Sequence, residues 1–121
     1  MNLLRGVWSP KPRKADIERH LAQKGMGILV ALRESGMTIE QAQKDLFNTD
    51  VYRAARRLRL NPALIEFLEW GMELEDVAAL APRGLRESYQ KMGALLRRLL
   101  AKHSRKASGR RPTPSRVRSL T

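Results

Sequence analysis

Large apolar residues recur at steps of three and four along most of the chain, and no segment alternates apolar and polar residues at every second position. The first periodic stretch predicts a helix from about Lys14 to Ser35, with Gly36 following as a C-terminal stop. Its expected inward positions are Ile17, Leu21, Ile28 and Leu32. Gly25 and Gly27 interrupt this helix, and close packing against a second helix would explain both.

Capping signals divide the middle of the chain into short helices. Thr38, with a glutamine three residues later, has the sequence of a capping box for a second helix that stops near Asn48. Thr49 or Asp50 is expected to cap a third helix, which runs to about Leu60.

The second half of the chain predicts three more helices. Asn61-Pro62 is an N-cap followed by proline at the first helical position, and this fourth helix is expected to end at Gly71. A short fifth helix covers about 74–81, and a strongly patterned sixth covers about 85–103. The predicted fold is therefore all-α, a compact bundle of about five to six helices.

The two ends of the chain have a different composition from this helical domain, which is predicted to span residues 14–103. Residues 1–13 are expected to form an extended basic arm, because Pro10 and Pro12 disfavour helix. Its apolar residues are candidates to dock on the helical domain: Leu3, Leu4, Val7 and Trp8. Residues 104–121 are predicted to be a basic, intrinsically flexible tail, because they contain too few apolar residues to offset the cost of ordering them.

Composition narrows the function classes. The chain has 121 residues, no cysteine and a formal net charge of +12, so thiolate metal sites and disulfides are excluded. No apolar run approaches the length of a membrane span or of a secretory signal, and a cytoplasmic protein without membrane contact is expected. His20 and His103 lie far apart, and no metal-binding, nucleophile or phosphate-loop motif is present. We therefore expect no catalytic site, no cofactor and no metal; His20 is interpreted as a partly exposed helical residue and His103 as a contact of the last helical carbonyls.

Charge is segregated along the chain. Residues 61–81 contain no lysine or arginine. The acids in this segment are Glu66, Glu69, Glu73, Glu75 and Asp76. Gly71 is expected to break the helix, so that the last three of these acids lie in the first turn of the next helix, where carboxylates favour the positive helix end. The alternative interpretation is a docking surface for a basic partner or for the protein's own tail.

Basic residues concentrate elsewhere. The third helix carries Arg53, Arg56, Arg57 and Arg59, in a segment of the size of a helix-turn-helix unit, although solvated arginines also explain them. The sixth helix and the tail add a nearly acid-free strip: Arg97, Arg98, Lys102, Arg105, Lys106, Arg110, Arg111, Arg116 and Arg118. The tail lacks aromatic residues, so it is suited to neutralising phosphates or to wrapping an acidic protein, not to stacking on bases.

One motif carries a resemblance. The stretch Gly71-Met72-Glu73-Leu74-Glu75-Asp76-Val77, followed by Leu80 and Pro82, resembles the G-x-ELED-[IV]-x-x-L-x-P signature of an uncharacterised family of short bacterial helical proteins. The element that precedes this signature corresponds to Ile39-Glu40-Gln41-Ala42 through Leu46-Phe47. The resemblance covers about residues 25–90. Some members of that family resemble immunity proteins encoded beside secreted bacterial toxins, which implies tight binding without catalysis.

Two functional hypotheses follow. The first is a non-enzymatic binding protein, an immunity- or antitoxin-like inhibitor that occludes a partner protein such as a toxin domain. Its predicted contacts are Trp8 and Trp70 as aromatic anchors, the five acids of residues 66–76, and the basic tail residues Arg105, Lys106, Arg110, Arg111, Arg116 and Arg118. The alternative is a small basic nucleic-acid-binding protein, a regulator or RNA-associated factor. Its predicted contacts are Arg53, Arg56, Arg57, Arg97, Arg98, Lys102, Arg110 and Arg111.

Overall fold

The structure is a computed structural model that describes residues 13–34 and 36–109, with side chains up to residue 104. This part of the chain contains helices and no strand, so the all-α prediction is confirmed. Its helices are α1 (Lys14–Glu34), α2 (Ile39–Asp45), α3 (Thr49–Arg57), α4 (Pro62–Met72), α5 (Leu74–Leu80) and α6 (Gly84–Gly109).

The long helix α6 holds the bundle together. It packs most extensively against α1 and α4 and also contacts α5. It runs antiparallel to α1, because His103 meets Glu18 near one end of the pair and Leu85 lines a cleft with Leu32 at the other. The first and last described helices are therefore direct neighbours.

The core lies where α1, α4 and α6 face one another. Phe67, Leu64, Met92 and Leu96 are fully buried there. Phe47, which follows α2, meets Phe67 edge-on, with ring centroids 5.4 Å apart and an interplanar angle of 68°. Such an edge-to-face pair adds a preferred geometry to the area that both rings bury.

Two glycines allow close approach in this core. A Cβ added at Gly25 would lie 2.7 Å from Phe67 Cζ and 2.9 Å from Leu96 Cδ1, so α1 needs glycine here. Gly71 is buried against the ring of Phe47 in the same way. The packing prediction is thus confirmed for Gly25 and wrong for Gly27, whose added Cβ would meet no atom within 4 Å. Gly71 does not end α4 as predicted, because α4 continues through it to Met72.

The caps of α2 and α4 agree with the sequence, whereas the start of α3 does not. Thr38 and Gln41 form the predicted reciprocal capping box, and the Asn61 side chain caps α4. The third helix is capped by Asn48, not by Thr49 or Asp50, because the Asn48 carboxamide accepts from Val51 N at 3.0 Å. The same side chain donates to the carbonyl oxygen of Gln43 at 2.9 Å. A single asparagine therefore links α2 to α3, and α2 ends earlier than predicted.

The end of α3 also differs from the prediction. The helix stops at Arg57 because Arg59 adopts φ 56°, the left-handed region. The amide of Arg59 donates to Arg56 O and that of Leu60 donates to Ala55 O, the paired bonds of a Schellman motif. Glycine is usual at the left-handed position of this motif, as Gly36 is after α1 with φ 79°. An arginine there carries backbone strain.

The last helix is longer than expected. It continues to Gly109, so residues 104–109 belong to α6 and His103 does not lie at its C-terminal end. The predicted contact of His103 with the last carbonyls is therefore wrong. Its Nε2 instead lies 3.4 Å from Glu18 Oε1, while Glu18 Oε2 accepts from the Asn61 amide at 2.6 Å. The nearly buried Glu18 thus joins α1, the start of α4 and α6.

Parts of the predicted arm and tail lie outside the described residues. These are residues 1–12 and 110–121, and with them Trp8, Arg110, Arg111, Arg116 and Arg118. Arg105 and Lys106 belong to α6 by their backbone, but their side chains fall outside the described part. Within that part, every helix is too short or too polar to cross a membrane.

Candidate protein-docking surface

The outer face of α4 combines an aromatic ring with a line of carboxylates. Asn61 and Pro62 start this helix, and Glu66, Glu69, Trp70 and Glu73 follow at positions that share one helical face. Their opposite face is apolar and buried, since Leu64, Phe67 and Leu68 point into the core. The amphipathic pattern of α4 therefore fixes which side chains face outward.

Trp70 stands between two clefts. The larger, of about 540 Å³, lies between α3 and α4. Its lining is Arg56, Arg59, Leu60, Pro62, Ile65, Glu66, Glu69, Trp70 and Glu73. The smaller, of about 220 Å³, lies between α4 and α6 and is lined by Glu66, Trp70, Lys91, Ala94, Leu95 and Arg98. We call the two clefts with the Trp70 ridge between them the Trp70 surface. Trp70 and Glu66 belong to both clefts.

A hydrogen-bonded chain orients the α3 side of this surface. Tyr52 donates its hydroxyl proton to Glu69 Oε2 at 2.6 Å. Arg56 Nη1 in turn donates to the Tyr52 oxygen at 3.1 Å, with its guanidinium carbon 5.7 Å from the centre of the tyrosine ring. Arg56 is thereby linked to Glu69 through Tyr52, and it lines the same cleft as the α4 carboxylates.

The α6 side is arranged around the indole. Lys91 Nζ lies 5.3 Å from the centre of the Trp70 ring, within cation–π distance. The Trp70 Nε1 proton points toward Glu66 Oε2, at the long distance of 3.5 Å. Trp70 is itself half-buried, so part of its ring packs on the bundle and part stays accessible.

The structure divides the predicted acidic patch. Glu66, Glu69 and Glu73 line the larger cleft together with Trp70. Glu75 and Asp76 lie in the first turn of α5, as predicted from the helix end, and are not part of the cleft. The same prediction is wrong for Glu73, which precedes α5 and whose side chain forms no cap hydrogen bond. Glu75 Oε1 is 3.5 Å from the side-chain nitrogen of Gln43, on the α2 side of the molecule.

The predicted nucleic-acid-binding residues that the structure describes, which excludes Arg110 and Arg111, do not all meet on one face. Arg56 and Arg98 line the clefts beside carboxylates, whereas Arg97 Nη1 lies over Gly93 near Leu29 on the α1 side of α6. Arg53, Arg57 and Lys102 are exposed and line neither cleft.

Sequence reasoning missed several residues in and beside this surface. Arg59, Ile65 and Lys91, which line the clefts, and Tyr52, which is hydrogen-bonded to Glu69 and Arg56, were not among the predicted contacts. The four-residue spacing of Tyr52 and Arg56 on one helix was a usable signal. The sequence carries no such signal for the Tyr52–Glu69 hydrogen bond, because this bond joins two helices whose relative position depends on the packing of the whole core. Among the described residues, no group of three or more potential ligand side chains is placed to hold a metal ion.

The comparisons with other proteins yield one match. Residues 12–111 match a family described as "Protein of unknown function (DUF3969)". No curated protein and no solved structure matches the chain. The match agrees with the expected resemblance at the level of an uncharacterised family, and it extends beyond the residues 25–90 that carried that resemblance.

Proposed function

The chain belongs to the DUF3969 family, and we propose that it is a non-enzymatic binding protein whose Trp70 surface occludes a basic segment of a partner protein. The finer part of the proposal is that this occlusion inhibits the partner, as an immunity or antitoxin protein inhibits a toxin domain. No chemical step is required of the bound surface, because covering the partner's functional site is sufficient.

The observation that carries the proposal is the accessible Trp70 ring between two clefts. Tryptophan, tyrosine and arginine are the residues most enriched among the few side chains that dominate the energy of protein interfaces. Trp70 and Arg56 line the larger cleft, and Tyr52, which is not part of that lining, joins Arg56 to Glu69 by hydrogen bonds. An anchor of this kind contributes about 2 kcal/mol or more to binding when it becomes fully desolvated.

The carboxylates determine the kind of partner. Glu66 and Glu73 line the larger cleft, and neither forms an ion pair with any side chain in the described part of the chain. An arginine of the partner could engage both the carboxylates, by charge-assisted hydrogen bonds, and the indole ring, by stacking. The proposed partner segment is therefore rich in arginine or lysine. A basic toxin such as a nuclease would present a segment of this type.

Nucleic-acid binding remains the second candidate. It is favoured by the net charge of +12 and by the exposed Arg53, Arg57 and Lys102. Phosphates would be repelled by the three carboxylates of the larger cleft, so nucleic acid would have to bind away from Trp70. This separation makes the two candidates distinguishable by mutation.

The test uses two charge-matched double variants of the full chain. Glu66→Lys with Glu73→Lys reverses the cleft carboxylates. Glu34→Lys with Asp45→Lys is the control, because both of its sites are exposed in the last turns of α1 and α2, where lysine favours the helix. Both variants raise the net charge by the same amount. The native protein and the two variants are immobilised separately. Each sample is exposed to native cell extract and then washed at low and at high salt.

The proposal expects a single stoichiometric protein that survives the high-salt wash on the native chain and the control variant and is lost from the cleft variant. Purified partner activity, measured with and without the chain, then tests inhibition. The proposal is wrong if both variants retain the same protein equally. The nucleic-acid candidate would be established instead by a different result. Both variants would then retain heterogeneous RNA or DNA at least as well as the native chain does, and this material would be lost as salt rises.

A further inference from the structure

A second exposed surface lies on the other side of α3 and is almost wholly apolar. It is a groove of about 460 Å³ between α1 and α3, lined by Ile17, Leu21, Val51, Ala54, Ala55, Leu58 and Leu60, with only Asp16 and His20 as polar members. We call it the α1–α3 groove. Leu58 is 48% exposed on its rim, among the most exposed large apolar side chains of the described residues. An exposed apolar groove bordered by polar residues is a candidate site for contact with another segment.

The position of the groove identifies a segment that reaches it. Its α1 wall begins at Asp16 and Ile17, in the first turn of that helix. The described chain starts at Arg13, so residues 1–12 join the fold directly beside the groove. Extended, these residues span up to roughly 40 Å, far more than is needed to cross a groove next to their attachment point.

The composition of this segment fits the groove. It contains Leu3, Leu4, Val7 and Trp8 in a run whose only charged residue is Arg5. Pro10 and Pro12 follow, and prolines at these positions disfavour a continuation of α1 backward into the segment. In sequence, Lys11 and Arg13 lie a few residues before Asp16, the acidic residue of the groove lining.

We propose that residues 3–8 of the same chain dock in the α1–α3 groove, with the Trp8 ring against Leu58 and Ala54. The attachment at Arg13 gives the segment a high effective concentration at the groove, which a separate molecule lacks. Trp8 then packs within its own chain and joins α1 to α3. The tryptophan available to a partner is Trp70. The inference is independent of the proposed function, because it concerns the opposite side of α3.

Because the chain contains no cysteine, crosslinking gives a clean test. Val7→Cys is combined with Leu58→Cys in the groove, and in a control protein with Leu80→Cys, which is 85% exposed on α5. A short bismaleimide reagent is added to each dilute protein, and intramolecular and intermolecular products are separated by denaturing electrophoresis. The proposal expects an intramolecular crosslink that forms at least tenfold faster in the groove pair than in the control pair. Equal rates, or a groove pair that crosslinks mainly between molecules, would overturn it.

Fluorescence supplies the second measurement. In a Trp70→Phe background, Trp8 is the sole tryptophan. The proposal expects blue-shifted emission and protection from iodide quenching. Both should be lost on Ala54→Glu in the groove and kept on Ala79→Glu, an exposed control site on α5. Emission typical of solvent-exposed tryptophan in the parent protein would refute docking, whether or not the Ala54→Glu variant folds.

Discussion

Replacing Gly25 by alanine tests how tightly α1 packs on α4 and α6. The added methyl group would lie 2.7 and 2.8 Å from Phe67 Cζ and Cε2 and 2.9 Å from Leu96 Cδ1. Carbon atoms in contact normally stay about 3.5–4.0 Å apart. Phe67 and Leu96 are both fully buried, so neither can move into solvent to make room. The methyl group must therefore push α1 away from the core or force the two side chains off their rotamers.

Two opposing terms set the size of the effect. Alanine is favoured over glycine inside a helix by about 1 kcal/mol. Overpacking of a filled core costs about 1–3 kcal/mol, and we expect the upper half of that range because two immobile side chains are involved. Gly25→Ala should therefore destabilise the protein by about 1–2 kcal/mol. Gly27 lies on the same helix with no atom within 4 Å of its added Cβ, so Gly27→Ala should stabilise it by up to about 1 kcal/mol.

The comparison is made by urea unfolding of both variants, followed by far-ultraviolet circular dichroism. The difference between the two variants isolates the packing term, because both replacements change helix propensity and unfolded-state entropy equally. It should be about 2–3 kcal/mol, with unchanged dependence on urea concentration. If both variants are stabilised to within about 0.5 kcal/mol of each other, the close approach of α1 to Phe67 and Leu96 is wrong.

Two further predictions concern single contacts. Glu18→Ala removes the acceptor of the Asn61 amide and the partner of His103, so it should lower the free energy of unfolding by about 1–3 kcal/mol. Glu18→Gln keeps an acceptor oxygen and should recover much of that loss in the same urea assay; equal losses in the two variants would contradict the bond to Asn61. Arg59→Gly relieves the strain of the left-handed backbone at φ 56° and should raise the temperature midpoint of unfolding or leave it unchanged. The strain removed, about 1–2 kcal/mol, is partly offset by the larger conformational entropy that glycine loses on folding. A clear fall in the midpoint would show that the arginine side chain stabilises the protein by more than its backbone strain costs.

The sequence predicted those elements whose signals are local. The capping box of Thr38 and the Asn61-Pro62 start of α4 involve residues within one turn of each other, and both were confirmed. Asn48 was missed as a cap because it competed with Thr49 and Asp50, and its bond to the Gln43 carbonyl depends on where α2 ends. Gly71 was misinterpreted as a helix stop. Glycine is needed there because a larger side chain would clash with the ring of Phe47, a residue distant in sequence.

The candidate surface was predictable to a similar degree. The period of α4 puts Glu66, Glu69 and Trp70 on one face, and Glu73 joins them in the cleft because the helix continues through Gly71 to Met72. The sequence had predicted a break at Gly71, which would have separated Glu73 from Glu66 and Glu69. The cations that border them come from α3 and α6, and their contribution depends on how three helices pack. Periodicity identifies the outer face of one helix, but it does not tell which neighbouring side chains reach that face.

The position of α6 has a consequence for how the chain acquires its structure. Because α6 covers both α1 and α4, the apolar faces of the earlier helices have no complete partner until the last helix has been synthesised. The closing contacts, such as Glu18 with His103, join residues far apart along the chain, and contacts of this range are made against the entropy of the large loop that they close. The bundle should therefore fold in one cooperative step that follows the synthesis of α6. A chain that ends before α6 would expose the surfaces of Phe67 and Leu29 to aggregation.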